Sequence, residues 1–209
     1  MKLINSSIVF VFQGSAIHSF FLKEIVKRNV LPQELISKAK FDFPFHPTII
    51  NLENGYSIHS LPNKIIVQIN YTKEVNLNDI NSPPDKLTDI ANNLKETMEL
   101  DCKALGINFK VLIPFDGNFP SYKILPDKSE IIDLKYQIKK DIFLVVNTLN
   151  RIIIKQNDKT QSGILFDSNF HLELKDEKNK IQVINKALSQ RENCLNVLKE
   201  LTNASFTNT

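Results

Sequence analysis

"YSIHSLPNKIIVQINYTKEV", residues 56–75, holds two runs of strand-forming residues separated at Leu61-Pro62-Asn63. The second run alternates, with Ile65, Val67, Ile69 and Tyr71 on one face and Ile66, Gln68, Asn70 and Thr72 on the other. A period of two with one apolar set predicts a hairpin that buries one face. A hairpin of this kind needs further elements to cover that face, and the flanking sequence offers them.

Upstream, Ile8 to Phe12 is a short apolar run suited to a central strand. Ser15 then stands where a helix N-cap belongs, with Ile17, Phe20, Phe21 and Ile25 at helical spacing before Leu31-Pro32 ends the pattern. Downstream, Ser82-Pro83-Pro84-Asp85 supplies a cap, prolines for a first turn and an acid for the positive end of the helix dipole. Leu87, Ile90, Ala91, Leu94, Met98, Cys102 and Leu105 trace one stripe that Gly106 stops, and Ile107, Phe109, Val111 and Ile113 follow as a strand. The order strand, helix, strand, strand, helix, strand predicts an α+β protein. Its N-terminal half reads as a ferredoxin-like βαββαβ antiparallel sheet with helices on one face.

The second half reads as a helix, a β-meander and a C-terminal helix. "DKSEIIDLKYQIKK" groups Ile131, Leu134 and Ile138 at helical spacing, and "DIFLVVNT", "RIIIKQ", "GILFD" and "FHLEL" read as four short strands. A competing reading carries the helix on through Leu149; the β-branched density of Ile142–Val146 and Ile152–Ile154 favours strands across 141–156. A last helix is predicted from Asp176 to Asn203. Pro, Gly, Asp and Ser cluster over residues 114–129, which sets halves of 1–116 and 117–209 packed as one unit.

Composition excludes several classes. A chain of 209 residues buries a sizeable core without staples. Its two cysteines, Cys102 and Cys194, read as reduced thiols of a cytoplasmic protein, and thiolates alone cannot build a zinc site. No apolar run reaches the roughly 18 residues of a membrane span, so no membrane partner is expected. The net charge is +3, and among 26 basic residues only Arg28, Arg151 and Arg191 carry guanidinium forks. That balance leaves nucleic acid as a secondary partner class and argues against planar bidentate phosphate recognition. Abundant Lys, Asn and Ile with sparse Gly and Ala match AT-rich codons of a bacterial or mobile-element gene.

Three groups of residues carry candidate chemistry. Gln13-Gly14-Ser15 joins a strand to a helix, and Gly14 and Ser15 could hold an anion at the helix N-terminus with His18 nearby. A single glycine with no Gly-Lys-Ser/Thr also reads as a plain capped turn. His46 lies in a Pro-bracketed loop near Asp42, and His59 and His171 lie in strands; none forms a tight metal-binding pair. In "GILFDSNFHLELKDE", His171, Glu173 and Lys175 share one strand face with Asp167 just upstream. Asp167, Glu173 and Lys175 resemble the Asp…Glu-x-Lys pattern of restriction-endonuclease-like nucleases. That resemblance implies Mg²⁺ on Asp167 and Glu173, with Lys175 activating the attacking water and His171 adjacent. The same alternation also describes any half-exposed strand.

Two functions follow. A well-patterned core without an assembled catalytic set fits a non-enzymatic protein-binding or adaptor subunit needing no cofactor, in a bacterial mobile-element, toxin or antiphage defence system. The alternative is a metal-dependent nuclease or phosphodiesterase using Asp167, Glu173 and Lys175. A homo-oligomer is compatible with either, because an antiparallel sheet offers a free edge.

Overall fold

The structure is a computed structural model that describes residues 1–13, 40–42, 48–83, 85–97, 102–115, 133–156, 159–174 and 179–205. Nine strands are present among them: β1 (Lys2–Phe12), β2 (Lys40–Asp42), β3 (Thr48–Asn51), β4 (Tyr56–Leu61), β5 (Lys64–Asn76), β6 (Cys102–Phe115), β7 (Asp133–Lys140), β8 (Phe143–Gln156) and β9 (Lys159–Glu173). They form one sheet in the order β2-β3-β4-β5-β1-β6-β9-β8-β7, with every neighbouring pair antiparallel. Three helices accompany it: α1 (Leu87–Thr97), α2 (Lys180–Ser189) and α3 (Arg191–Ser205).

This architecture replaces the expected ferredoxin-like βαββαβ half and separate meander. Strands β2 and β3 follow β1 in the chain and lie outside β4, extending the sheet at one end, while β1 pairs directly with β5 of the 56–75 hairpin. At the other, β6 pairs with β9 from Ala104↔Glu173 to Phe115↔Ser162, so the sheet runs without a break into the C-terminal half. The stretch 133–140, expected as a helix, is the strand β7. Leu134, Tyr136 and Ile138 are its half-buried positions, and Lys135, Gln137 and Lys139 between them are exposed. Leu134 and Ile138 sit four apart, a spacing that a helix and a strand face share. The four short strands of the meander are two long ones, β8 and β9, which pair up to Gln156↔Lys159.

The helix expected to end at Gly106 gives way sooner, since Cys102 and Leu105 already belong to β6. The C-terminal helix is two helices divided at Gln190, whose φ of −85° and ψ of 3° interrupt the α geometry. The expected helix from Ser15 lies outside the described residues.

The helices cover one face of the sheet. Helix α1 packs on β5 and β1 and α3 on β6 and β9, with α2 bridging to α1. The covered face carries the core: Ile8 and Phe10 of β1, Ile65 and Val67 of β5, Ile107 and Phe109 of β6, and Phe166 and Phe170 of β9 are all buried. Edge-to-face rings knit its centre, with Phe170 lying 6.1 Å from Phe109 and 6.0 Å from Phe143. Because side chains alternate along each strand, fixing this face also fixes which residues the opposite face presents.

Candidate functional site

Two polar assemblies stand out, one under the helices and one on the opposite face, called the uncovered face here because none of the described helices packs on it. Beneath the helices, the Asp85 carboxylate is fully buried and accepts from every donor around it. Arg191 Nη1 donates to Oδ1 at 2.5 Å and Nη2 to Oδ2 at 2.8 Å, a bidentate pair. The Tyr71 hydroxyl donates to Oδ2 at 2.6 Å, and the Leu87 N–H donates to Oδ1 at 3.0 Å. Asp85 therefore caps α1 itself, in place of Ser82.

Arg191 is the first residue of α3, so one ion pair fastens the starts of α1 and α3 together over the sheet. Its Nη2 also donates to Ser6 Oγ at 2.7 Å, and its guanidinium carbon lies 5.7 Å from the centre of the Phe109 ring. Tyr56 completes the cluster by accepting the Lys86 N–H at 2.8 Å. Burial pushes the Tyr71 and Tyr56 hydroxyls above their ordinary pKa, reinforced at both by the Asp85 charge, so both stay protonated as the hydrogen bonds require. The assembly is charge-matched, with Arg191 Nε alone of its guanidinium nitrogens buried without a hydrogen-bond partner among the described residues, and we read it as the clamp of the fold. Cys194 nearby is buried, and desolvation raises its thiol pKa to about 12, which removes it as a nucleophile.

The uncovered face is different in kind. Strand registers align Asn51, Ser57, Gln68, Ser7, Asn108, Asn169, Val146 and Gln137 into a single row across β3-β4-β5-β1-β6-β9-β8-β7. At the usual strand spacing this row is about 34 Å long. Seven of its eight members carry amides or hydroxyls, groups that both donate and accept. Several already engage one another: Asn108 donates to Ser7 Oγ at 3.1 Å, and in the adjoining row Asn5 donates to Asn70 at 2.7 Å. Asn169, Asn51 and Gln137 are exposed. At mid-sheet, Gly106 is buried beside this row because neighbouring side chains close over it: an added Cβ would stand 3.3 Å from Asn169 Oδ1 and 3.7 Å from the Val9 Cβ.

Several charged groups on this face lie beside a partner, while Lys135 and Lys139 share the face with Gln137 and are exposed. Lys110 lies 3.5 Å from Asp167 and His171 2.8 Å from Glu173, and Lys2 pairs with Glu74. Desolvation raises the Asp167 pKa, and the Lys110 charge pulls it back in part. His59 Nε2 receives the Gln68 amide at 3.1 Å with the Ser57 hydroxyl at 2.9 Å, contacts that suit the neutral ring. Burial lowers the His59 pKa from its ordinary 6.5, so the folded chain resists a proton that the unfolded chain takes up. Its contribution is present above that ordinary value and is lost as pH falls toward the lower folded one. The melting temperature should therefore drop between about pH 7.5 and 5.5, and drop less in His59→Gln. Equal slopes for the two proteins would contradict this environment for His59.

Of the expected nuclease set, Asp167 and Glu173 are not brought together. Asp167, His171 and Glu173 do share the uncovered face, but Asp167 and Glu173 stand six residues apart on one strand, a span of about 20 Å. Carboxylates that hold one Mg²⁺ must both reach within about 2.1 Å of it. Among the described residues, no group of three or more His, Cys, Asp and Glu side chains could hold a metal ion. Lys175, Gly14, Ser15, His18 and His46 lie outside the described residues. The sequence reading missed Arg191 because its partner is 106 positions away. It had placed Gln68, Asn70 and Thr72 on one face, the signal from which the polar row could have been extended.

No described helix is long and apolar enough to cross a membrane. The chain matches no known protein family, and no curated protein is similar to it in sequence.

Proposed function

We propose that this chain is a non-enzymatic protein-binding or adaptor subunit that receives its partner on the uncovered face of the sheet. Its Lys-, Asn- and Ile-rich composition suits a bacterial mobile-element, toxin or antiphage defence system. The observation that carries the reading is the in-register row eight strands wide, seven of whose eight members carry amides or hydroxyls. Such a row matches the mixed donors and acceptors of an uncharged polar protein surface. On this face Lys110 lies beside Asp167 and Lys2 beside Glu74, pairs that weaken the attraction of those lysines for a phosphate backbone and place nucleic acid second. The neighbouring half-buried Val9, Ile66, Leu112 and Leu165 supply apolar contact on the same face.

Site-specific photocrosslinking in the native host tests this reading. A crosslinker at Asn169 or Gln137 is expected to capture one protein in stoichiometric yield, and a crosslinker at Gln182 or Glu192 on the helical layer is expected to capture none. Capture from the helical side alone, or of nucleic acid alone from the sheet face, would refute it.

A further inference from the structure

The β7 end of the uncovered face carries exposed cations, and the neighbouring strand β8 contains no acid to balance them. Lys135, Gln137 and Lys139 alternate onto this face, and all three are exposed. Neither lysine forms an ion pair with a described residue, in contrast to Lys110 with Asp167 and Lys2 with Glu74. Four positions apart on one strand, Lys135 and Lys139 stand about 14 Å from each other. Register sets Lys139 opposite Leu144 of β8 and Gln137 opposite Val146. Leu144 is 39% exposed and Val146 half-buried, so the two cations border an accessible aliphatic strip.

We propose that this corner of the sheet receives an acidic segment of the partner protein, with carboxylates on Lys135 and Lys139 and an apolar side chain on Leu144 and Val146. The inference rests on the partner-binding reading above and adds the chemistry of the segment that binds. Charge complementarity selects the occupant, since two exposed cations without a counter-charge attract an anion and set its register. Among anions, the corner fits a peptide better than a phosphate backbone. Arg151 of β8 alternates with Asn150 and Ile152 and so leaves by the opposite face, which leaves this one without the planar fork that suits phosphate. Asp167 stands two strands from Lys135 in the same row, and Glu173 lies beside His171 on the same face. A long polyanion crossing the sheet would meet both carboxylates, whereas a short acidic segment meets the lysine end alone. The aliphatic strip adds contact that a peptide side chain can use.

Photocrosslinking from a benzoylphenylalanine placed at Leu144 in the native host tests it, with the captured peptide identified by mass spectrometry. The peptide is expected to belong to the protein captured from Asn169 and to carry a net charge of about −2 or lower over about ten residues. Lys135→Glu combined with Lys139→Glu should lower the yield tenfold or more, and Lys135→Gln with Lys139→Gln should lower it less. Lys186→Glu, at an exposed position of α2, should leave it unchanged. A neutral or basic captured peptide, or an undiminished yield from the double charge reversal, would overturn this inference and leave the protein-binding reading standing. Capture from Asn169 without capture from Leu144, or capture of a second copy of this chain, would do the same. Nucleic acid alone from both positions, or no protein from either, would refute both readings together.

Discussion

Replacing Arg191 by methionine should destabilise the fold by about 3–5 kcal/mol, because the substitution leaves the Asp85 carboxylate buried without its counter-charge. The size follows from what surrounds Asp85. Its carboxylate is fully buried, and the two guanidinium hydrogen bonds are its only charged partners among the described residues. The Tyr71 hydroxyl and the Leu87 N–H would remain, too few to solvate an anion. For a chain of this length the melting temperature should fall by about 10 °C. Pairing Arg191→Met with Asp85→Asn should cost much less than the sum of the two single changes, since the double variant buries no charge. Denaturant titrations of all four proteins measure the coupling. A cost below about 1 kcal/mol for Arg191→Met would mean the pair is solvated and that α1 and α3 are held by packing alone.

Gly55→Ala should cost about 2–4 kcal/mol, for a reason of backbone geometry. Gly55 ends the short 3₁₀ turn over Glu53–Gly55 that leads into β4, and its φ of +82° lies in the left-handed region. A Cβ there would stand 2.2 Å from the backbone oxygen of Asn70 in β5. Neither atom can give way without moving a strand, unlike a clash with the end of a flexible side chain. The preceding Asn54, with φ of 57°, is of a residue type that tolerates this region. Because Asn70 also accepts the Asn5 amide, the displacement would carry into the uncovered face. Thermal unfolding of Gly55→Ala within 1 °C of wild type would contradict this close approach.

How far the sequence foretold the structure depends on the element. The 56–75 hairpin was legible because Ile65, Val67 and Ile69 recur at every second position while Gln68, Asn70 and Thr72 take the other face, and β5 buries those three isoleucine and valine side chains. Helix α1 was legible from Leu87, Ile90, Ala91 and Leu94, all fully buried. Its end was not, since Cys102 and Leu105 continue the helical spacing by coincidence while serving β6. Leu134 and Ile138 misled in the same way: four residues apart satisfies both periods, and only the partner strand decides. β8 and β9 were read as broken because Asn150 and the Ser168-Asn169 pair interrupt their apolar runs. In the fold Ser168 donates to Asn147 at 2.7 Å, so a buried polar residue pairs across the strands where the sequence suggested a turn. The pairing of Asp167 with Lys110 is likewise a property of register, invisible until β6 and β9 are aligned. The Asp…Glu-x-Lys pattern survived as order along the chain but not as proximity, because a straight strand holds its ends apart.

The proposed adaptor role requires that a partner bind on the uncovered face of the sheet. The most direct measurement is a calorimetric titration of the photocrosslinked partner, purified, against wild type, Asn169→Arg on the sheet face and Ile181→Ser on the helical layer. Asn169 and Ile181 are both exposed, so neither change should disturb the fold. Asn169→Arg is expected to weaken binding tenfold or more, about 1.4 kcal/mol, and Ile181→Ser to leave it unchanged. Undiminished binding by Asn169→Arg, or loss confined to Ile181→Ser, would move the interface to the helical layer and contradict the account.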